Sequence, residues 1–117
     1  MAAPISPYKA IADDTRRHIL DLLRQEQLPA GAIAQRCQRS RSVSRPAVSK
    51  HLSILQRSRL VTVRKQGRER VYALNAEPLR EVEQWVQQYQ AEWTTKLQSL
   101  KDYVEAHPTR EEDHGER

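Results

Sequence analysis

Between Arg36 and Arg70 the chain carries eleven basic side chains and a single acid, Glu69. Guanidinium and ammonium groups at that density either hold phosphate oxygens, with arginine also able to grip a guanine edge through paired N–H donors, or form a solvated basic surface that keeps the protein soluble. Part of the run, QRSRSVSRPAVSKHL over residues 38–52, changes character midway. Its first half alternates serine with Arg39, Arg41 and Arg45, as a disordered basic segment would. Its second half sets Val48, Leu52 and Leu55 at helical spacing. Other chemistries find little support. There is no nucleophile–base pair, phosphate-cradling glycine loop or metal quartet, and the carboxylates are scattered along one helix face, so no enzymatic activity, cofactor or bound metal is expected. Cys37 is the single cysteine and supports neither an internal disulfide nor a multi-cysteine metal site. Two readings of it stand side by side. Arg36 and Arg39 can lower its pKa and make it a thiol switch, or it fills a buried apolar position.

A chain of 117 residues fits one compact domain with a modest core, and association is a common supplement at that size. The formal charge of +5 divides unevenly. Residues 1–74 hold 15 Lys and Arg against 5 Asp and Glu, whereas residues 75–117 hold 5 against 10. The basic part suggests a polyanionic partner, and the acidic part should face elsewhere. No signal-peptide pattern opens the sequence and no apolar run is long enough to span a bilayer, so a soluble cytoplasmic protein is expected.

The elements that must carry these side chains can be read in order. Pro7 to Ala12 suits a first short helix with Tyr8, Ile11 and Ala12 on its apolar face. Asp13 is a good N-cap for a helix bearing Ile19, Leu20, Leu22 and Leu23, which runs to about Glu26. Pro29 opens a third helix whose narrow face is Ala30, Ile33, Ala34 and Cys37. Ser44 caps a fourth, about 44–58, with Pro46 in its first turn and Val48, Leu52 and Leu55 turned inward. Residues 60–64 and 71–74 read as strands, with Gly67 at the turn between them. From about Glu77 to Ala106 a long helix carries Val82, Val86, Tyr89, Trp93, Leu97, Leu100 and Val104 at spacings of 4, 3, 4, 4, 3 and 4. Residues 107–117 form a tail too polar to order itself.

This layout predicts a mainly α fold with a small β-hairpin: a winged helix-turn-helix over 1–106, with residues 77–106 as its long C-terminal helix. The fourth helix would enter the major groove of duplex DNA. Its outward residues are Arg45, Pro46, Ser49, Lys50 and Ser53, with His51 beside the core face, either packed or contacting phosphate. The wing over 64–70 would place Lys65, Arg68 and Arg70 on the backbone or minor groove. Arg16 at the start of the second helix is a further phosphate candidate, while Arg17 reads as plain surface. The apolar stripe needs cover that a globule of about 75 residues cannot supply along its whole length, and a second copy of the chain is the expected source. The dimerisation set is Tyr8, Ile11, Val82, Val86, Tyr89, Trp93, Leu97, Leu100 and Val104. A winged-helix protein-interaction module without DNA binding remains the alternative from another functional class.

At this point the residues resemble a family. Ile11-Ala12-Asp13-Asp14-Thr15-Arg16-Arg17-His18-Ile19-Leu20 is similar to the opening of ArsR/SmtB-type repressors, usually LADPTRRxIL. Ser44-Arg45-Pro46-Ala47-Val48-Ser49-Lys50-His51-Leu52 is similar to their recognition helix, and Leu60-Val61 with Gly67 to Asn75 to their wing. The resemblance runs from about residue 5 to residue 106. It implies a homodimeric repressor, paired through its first and last helices, on a palindromic operator, with its inducer unknown. Metal-sensing members carry Cys-x-Cys near the bracing helix, or Asp and His on the last helix. Here residues 28–33 hold no thiol and the last helix before Ala106 no histidine, so the chain is more similar to the non-metal, SdpR-like branch. A second departure is an excess of four residues between Cys37 and Val43, close to one helical turn. Either the bracing helix gains a turn or the connection becomes a loop. Because Ser40 and Ser42 are poor helix formers, the expectation is one or two extra helical residues and then an irregular loop carrying Arg39 and Arg41 as phosphate contacts.

Overall fold

The computed structural model describes residues 3–107. The tail expected to be disordered therefore lies, beyond His107, outside the described residues. Five helices and three strands follow in order: α1 Pro7–Ala10, α2 Asp14–Gln25, β1 Leu28–Pro29, α3 Ala30–Arg41, α4 Arg45–Arg57, β2 Val61–Gln66, β3 Glu69–Leu74 and α5 Leu79–Ala106. The expected class holds: mostly helix with a small antiparallel sheet, in a winged helix-turn-helix. Contacts divide the chain into two units, one ending at Val82 and the other beginning at Glu83. Among the described residues no helix is long and apolar enough to cross a membrane.

The helix starts follow from local chemistry. Asp13 accepts from the N–H groups of Thr15 at 2.8 Å and Arg16 at 3.0 Å, and Ser44 accepts from the N–H of Ala47, so each caps donors that a helix start leaves orphaned. Burial pushes the Asp13 carboxyl up. Donation from Arg16 N–H, electrostatic attraction from the side chains of His51 and Arg16, and donation from Thr15 N–H outweigh it, and the net shift is downward. A carboxylate held below its unfolded value contributes stability above the ordinary range near pH 4, which is lost as the pH falls through the folded value. Asp13→Ala is accordingly expected to cost about 1 kcal/mol in urea unfolding at neutral pH. The gap from the parent should narrow below about pH 4.

The core of the first unit gathers Ile19 and Leu23 of α2, Ile33 and Cys37 of α3, Val48, Leu52 and Leu55 of α4, then Leu60, Val61 and Tyr72 from the sheet side. Three details differ from expectation. Leu28 and Pro29 form a third strand, pairing with Tyr72 and Val71 so that the sheet order is β1-β3-β2. A two-residue strand containing proline carries no alternation from which to read it. The hairpin strands also run closer to the tip than expected. Gln66 pairs with Glu69 across a turn of Gly67 and Arg68, with positive φ at Gly67 alone, as a type II′ turn requires.

The third difference corrects the expectation for 38–42. Helix α3 continues through Gln38, Arg39, Ser40 and Arg41, so the four extra residues add one helical turn and not a loop. Ser40 is accommodated by donating its hydroxyl to Arg36 O at 2.9 Å, the bond by which serine occupies a helix interior. Ser42 ends the helix in the left-handed region at φ 56, its N–H returning to Gln38 O. A single left-handed residue with a short polar side chain is tolerated there.

Candidate nucleic-acid interface

Helix α4 separates its two faces cleanly. Val48, Leu52 and Leu55 are buried, while Arg45, Pro46, Ser49, Lys50 and Ser53 are all exposed along the opposite side. The helix is braced by α3, and its N-terminal end follows the short connection Ser42–Ser44. Pro46 fits the first turn because that position has no intrahelical N–H to lose. The guanidinium of Arg45 lies over the start of α3, with Nη2 3.7 Å from where a Cβ on Gly31 would stand. That is ordinary contact distance for a methyl group. Gly31→Ala is expected to leave Arg45 in place and stabilise α3 by roughly 0.5–1 kcal/mol in urea unfolding.

The wing contributes a second cationic surface. Lys65 and Arg70 stand directly opposite each other in the ladder, so their side chains share one face, continuing outward from Val63 and Tyr72. Like charges at cross-strand positions repel, a cost that a bound anion would remove. Arg68 occupies the exposed turn. Arg64, which sequence reasoning passed over, is turned back by donating to Gln27 and to Gln66 at 2.8 Å.

The added turn of α3 is anchored to α2. Arg41 pairs with Asp14 at 3.4 Å, and Ser40 Oγ lies 3.1 Å from His18 Nε2. Since the serine proton goes to Arg36 O, the imidazole is the donor in the second contact. Arg36 pairs with Glu26 at 3.3 Å. Arg39 is exposed, lines the open hollow between these helices with His18 and Leu22, and has no hydrogen bond or ion pair among the described residues. Of the two arginines expected to reach outward from this segment, Arg39 is thus uncommitted and Arg41 is engaged.

Arg16 is the largest departure from expectation. Its Nε donates to Ala10 O at 2.6 Å, Nη2 to Lys9 O at 3.2 Å and Nη1 to His51 Nδ1 at 3.1 Å. Arg17, expected as plain surface, donates to Ile11 O at 2.7 Å. Together the two arginines satisfy carbonyls at the end of α1, a task that needs partners several residues away and left no sequence signal. Cys37 corrects the thiol-switch reading. The side chain is fully buried, and burial pushes its thiol up against the opposing charge of Arg41. Its environment is that of a core residue, not a reactive thiol.

In the second unit α5 exposes an unusual amount of apolar surface. Trp93, Leu97, Leu100 and Val104 are 63%, 56%, 58% and 48% exposed. Tyr89 and Val86 continue the row, while Val82 and Ile11 are half-buried and Tyr8 exposed. The structure widens the stripe beyond the expected set. Trp85, edge-on to Tyr89 with centroids 5.1 Å apart, and Tyr103, stacked on His107 at 4.3 Å, are also exposed. Their spacings, four before Tyr89 and three after Leu100, are themselves a helical signal. Among the described residues no three His, Cys, Asp or Glu side chains gather as a metal site.

Comparison with known proteins places this geometry in context. Residues 11–64 match a family of sequences described as a helix-turn-helix domain. The chain is 37% identical over 79 residues to the transcriptional repressor SdpR of Bacillus subtilis, covering 68% of this chain and 83% of that protein. It is 44% identical over 73 residues to the HTH-type transcriptional regulator Rv2034 of Mycobacterium tuberculosis, covering 62% and 64%. A crystal structure of an ArsR family transcriptional regulator superposes with a TM-score of 0.63 at 31% identity, over 74% of this chain and 91% of the other.

Proposed function

The chain belongs to the ArsR family of winged helix-turn-helix transcriptional regulators, and from that premise we propose that it is a repressor binding a palindromic DNA operator as a homodimer. The observation that carries this reading is the outward row of α4. Arg45, Ser49, Lys50 and Ser53 form an exposed polar strip on a helix whose other side is core. An α-helix fits the major groove, where Arg45 and Lys50 have reach to guanine O6 and N7 and the serines to bases or phosphates. Lys65, Arg68 and Arg70 on the wing take the flanking backbone or minor groove, and Arg39 adds a phosphate contact from the extended α3.

Dimerisation is proposed through α5 with α1, because the large apolar side chains exposed among the described residues lie on α5 between Trp85 and Val104, with Tyr8 on α1. A twofold axis then sets two recognition helices roughly 34–36 Å apart, one turn of DNA. The proposed role is that of a regulator and not an enzyme, acting in the cytoplasm. Selection of bound sequences from a random duplex pool tests the whole reading. An inverted repeat with half-sites one helical turn apart is the expected product; no enriched sequence, or enrichment of single half-sites, would overturn it.

A further inference from the structure

Arg16 and His51 are 35 residues apart in sequence and meet at 3.1 Å. A guanidinium has only donors, so His51 Nδ1 must be the acceptor in this contact. The neutral ring therefore carries its proton on Nε2, and which nitrogen is protonated has been decided by a neighbour on another helix. The arginine is itself held from the far side, since Ala10 O and Lys9 O take its other two nitrogens. Its head group cannot swing toward a ligand without giving up the end of α1. His51 lies on α4 next to exposed Lys50 and is half-buried. Its Nε2 has no hydrogen-bond partner among the described residues. The recognition helix thus holds an oriented, unused donor whose other nitrogen is tied down.

We propose that Arg16 is a positioning residue for DNA binding, fixing His51 as its Nε2–H tautomer so that α4 offers that N–H to a backbone phosphate. This rests on the reading of α4 as the DNA-facing helix. It gives Arg16 a different part from a direct phosphate contact, and the two parts have different signatures. A cation on a phosphate releases counterions, so removing it lowers affinity and flattens the salt dependence. A neutral imidazole releases none. Its removal lowers affinity by a constant factor at every salt concentration, about tenfold for one hydrogen bond to a charged acceptor.

The test uses the full chain. Long-range proton–nitrogen correlation spectra of its imidazoles near pH 8 read the tautomer directly, and anisotropy of a labelled random-sequence duplex, over a series of salt concentrations, reads affinity. In the parent protein His51 should be the Nε2–H form, with Nδ1 shifted as a hydrogen-bond acceptor; a proton on Nδ1 of the neutral ring would overturn the proposal without any variant. His51→Ala and Arg16→Met should each weaken duplex binding with the salt slope unchanged, and the double variant should lose no more than His51→Ala alone. His51→Gln, whose amide nitrogen can stand where Nε2 does, should recover most of the affinity. Additive losses, or a flattened slope in Arg16→Met, would mean that Arg16 touches phosphate itself and would overturn the positioning role. Absence of duplex binding by the parent protein would instead overturn the reading of α4 and the phosphate contact with it, whatever the tautomer.

Discussion

Replacing Trp93 and Leu97 together by alanine is expected to leave the chain monomeric at low-micromolar concentration. Both side chains are more than half exposed, on a helix with no buried residue anywhere along its length. In the proposed twofold dimer every change is doubled, so the pair would remove four large side chains from the interface. At roughly 1.5 kcal/mol for each, the low end for burying one, the loss is about 6 kcal/mol and about four orders of magnitude in the dissociation constant. Sedimentation equilibrium reads this directly. Operator affinity should fall with it, since two half-sites no longer bind as one ligand. The fold of the first unit should survive, because its core lies among α2, α3, α4 and the sheet. Dimers that persist in the variant would show that another surface pairs the protomers.

The second large effect separates the helix from the wing. Arg45→Ala should cost about 1–3 kcal/mol on the selected operator and relax the preference at one base of each half-site. Lys65→Ala or Arg68→Ala should instead weaken all duplexes alike and reduce the salt slope by about one. Affinity measured on the operator and on single-base variants of it, each over a salt series, distinguishes the two patterns. In the proposed complex the helix would owe its specificity to oriented donors on a rigid face, whereas the wing cations would act mainly through charge. If both substitutions gave the same pattern, that division of labour would be wrong. Loss of neither affinity nor specificity on reversing the charges of Arg45, Lys50 and Arg68 would favour a protein-interaction module.

Much of this arrangement was legible because it depends on local chemistry. Asp13 and Ser44 announce helix starts since their side-chain oxygens satisfy nearby N–H groups, and the spacing of Val48, Leu52 and Leu55 fixes which side of α4 faces out. The stripe on α5 is legible for the same reason. What stayed hidden depends on partners distant in sequence. Ser40 and Ser42 suggest a loop by propensity, yet Ser40 bonds Arg36 O and His18 while Arg41 pairs with Asp14, and these contacts hold the turn helical. The part played by Arg16 is set by carbonyls of α1 and an imidazole of α4, which no spacing rule connects. Cys37 beside two arginines looks reactive in one dimension, but side chains on successive helical positions diverge, and its thiol enters the core while they do not.

The two-residue strand β1 has a mechanical consequence. Leu28 and Pro29 are paired to Tyr72 and Val71 on the inner strand of the wing, and Pro29 is also the residue from which α3 departs. The bracing helix and the wing therefore share one footing, and neither can tilt without loading the other. A displacement of either one is thus passed to the other through two backbone-paired residues.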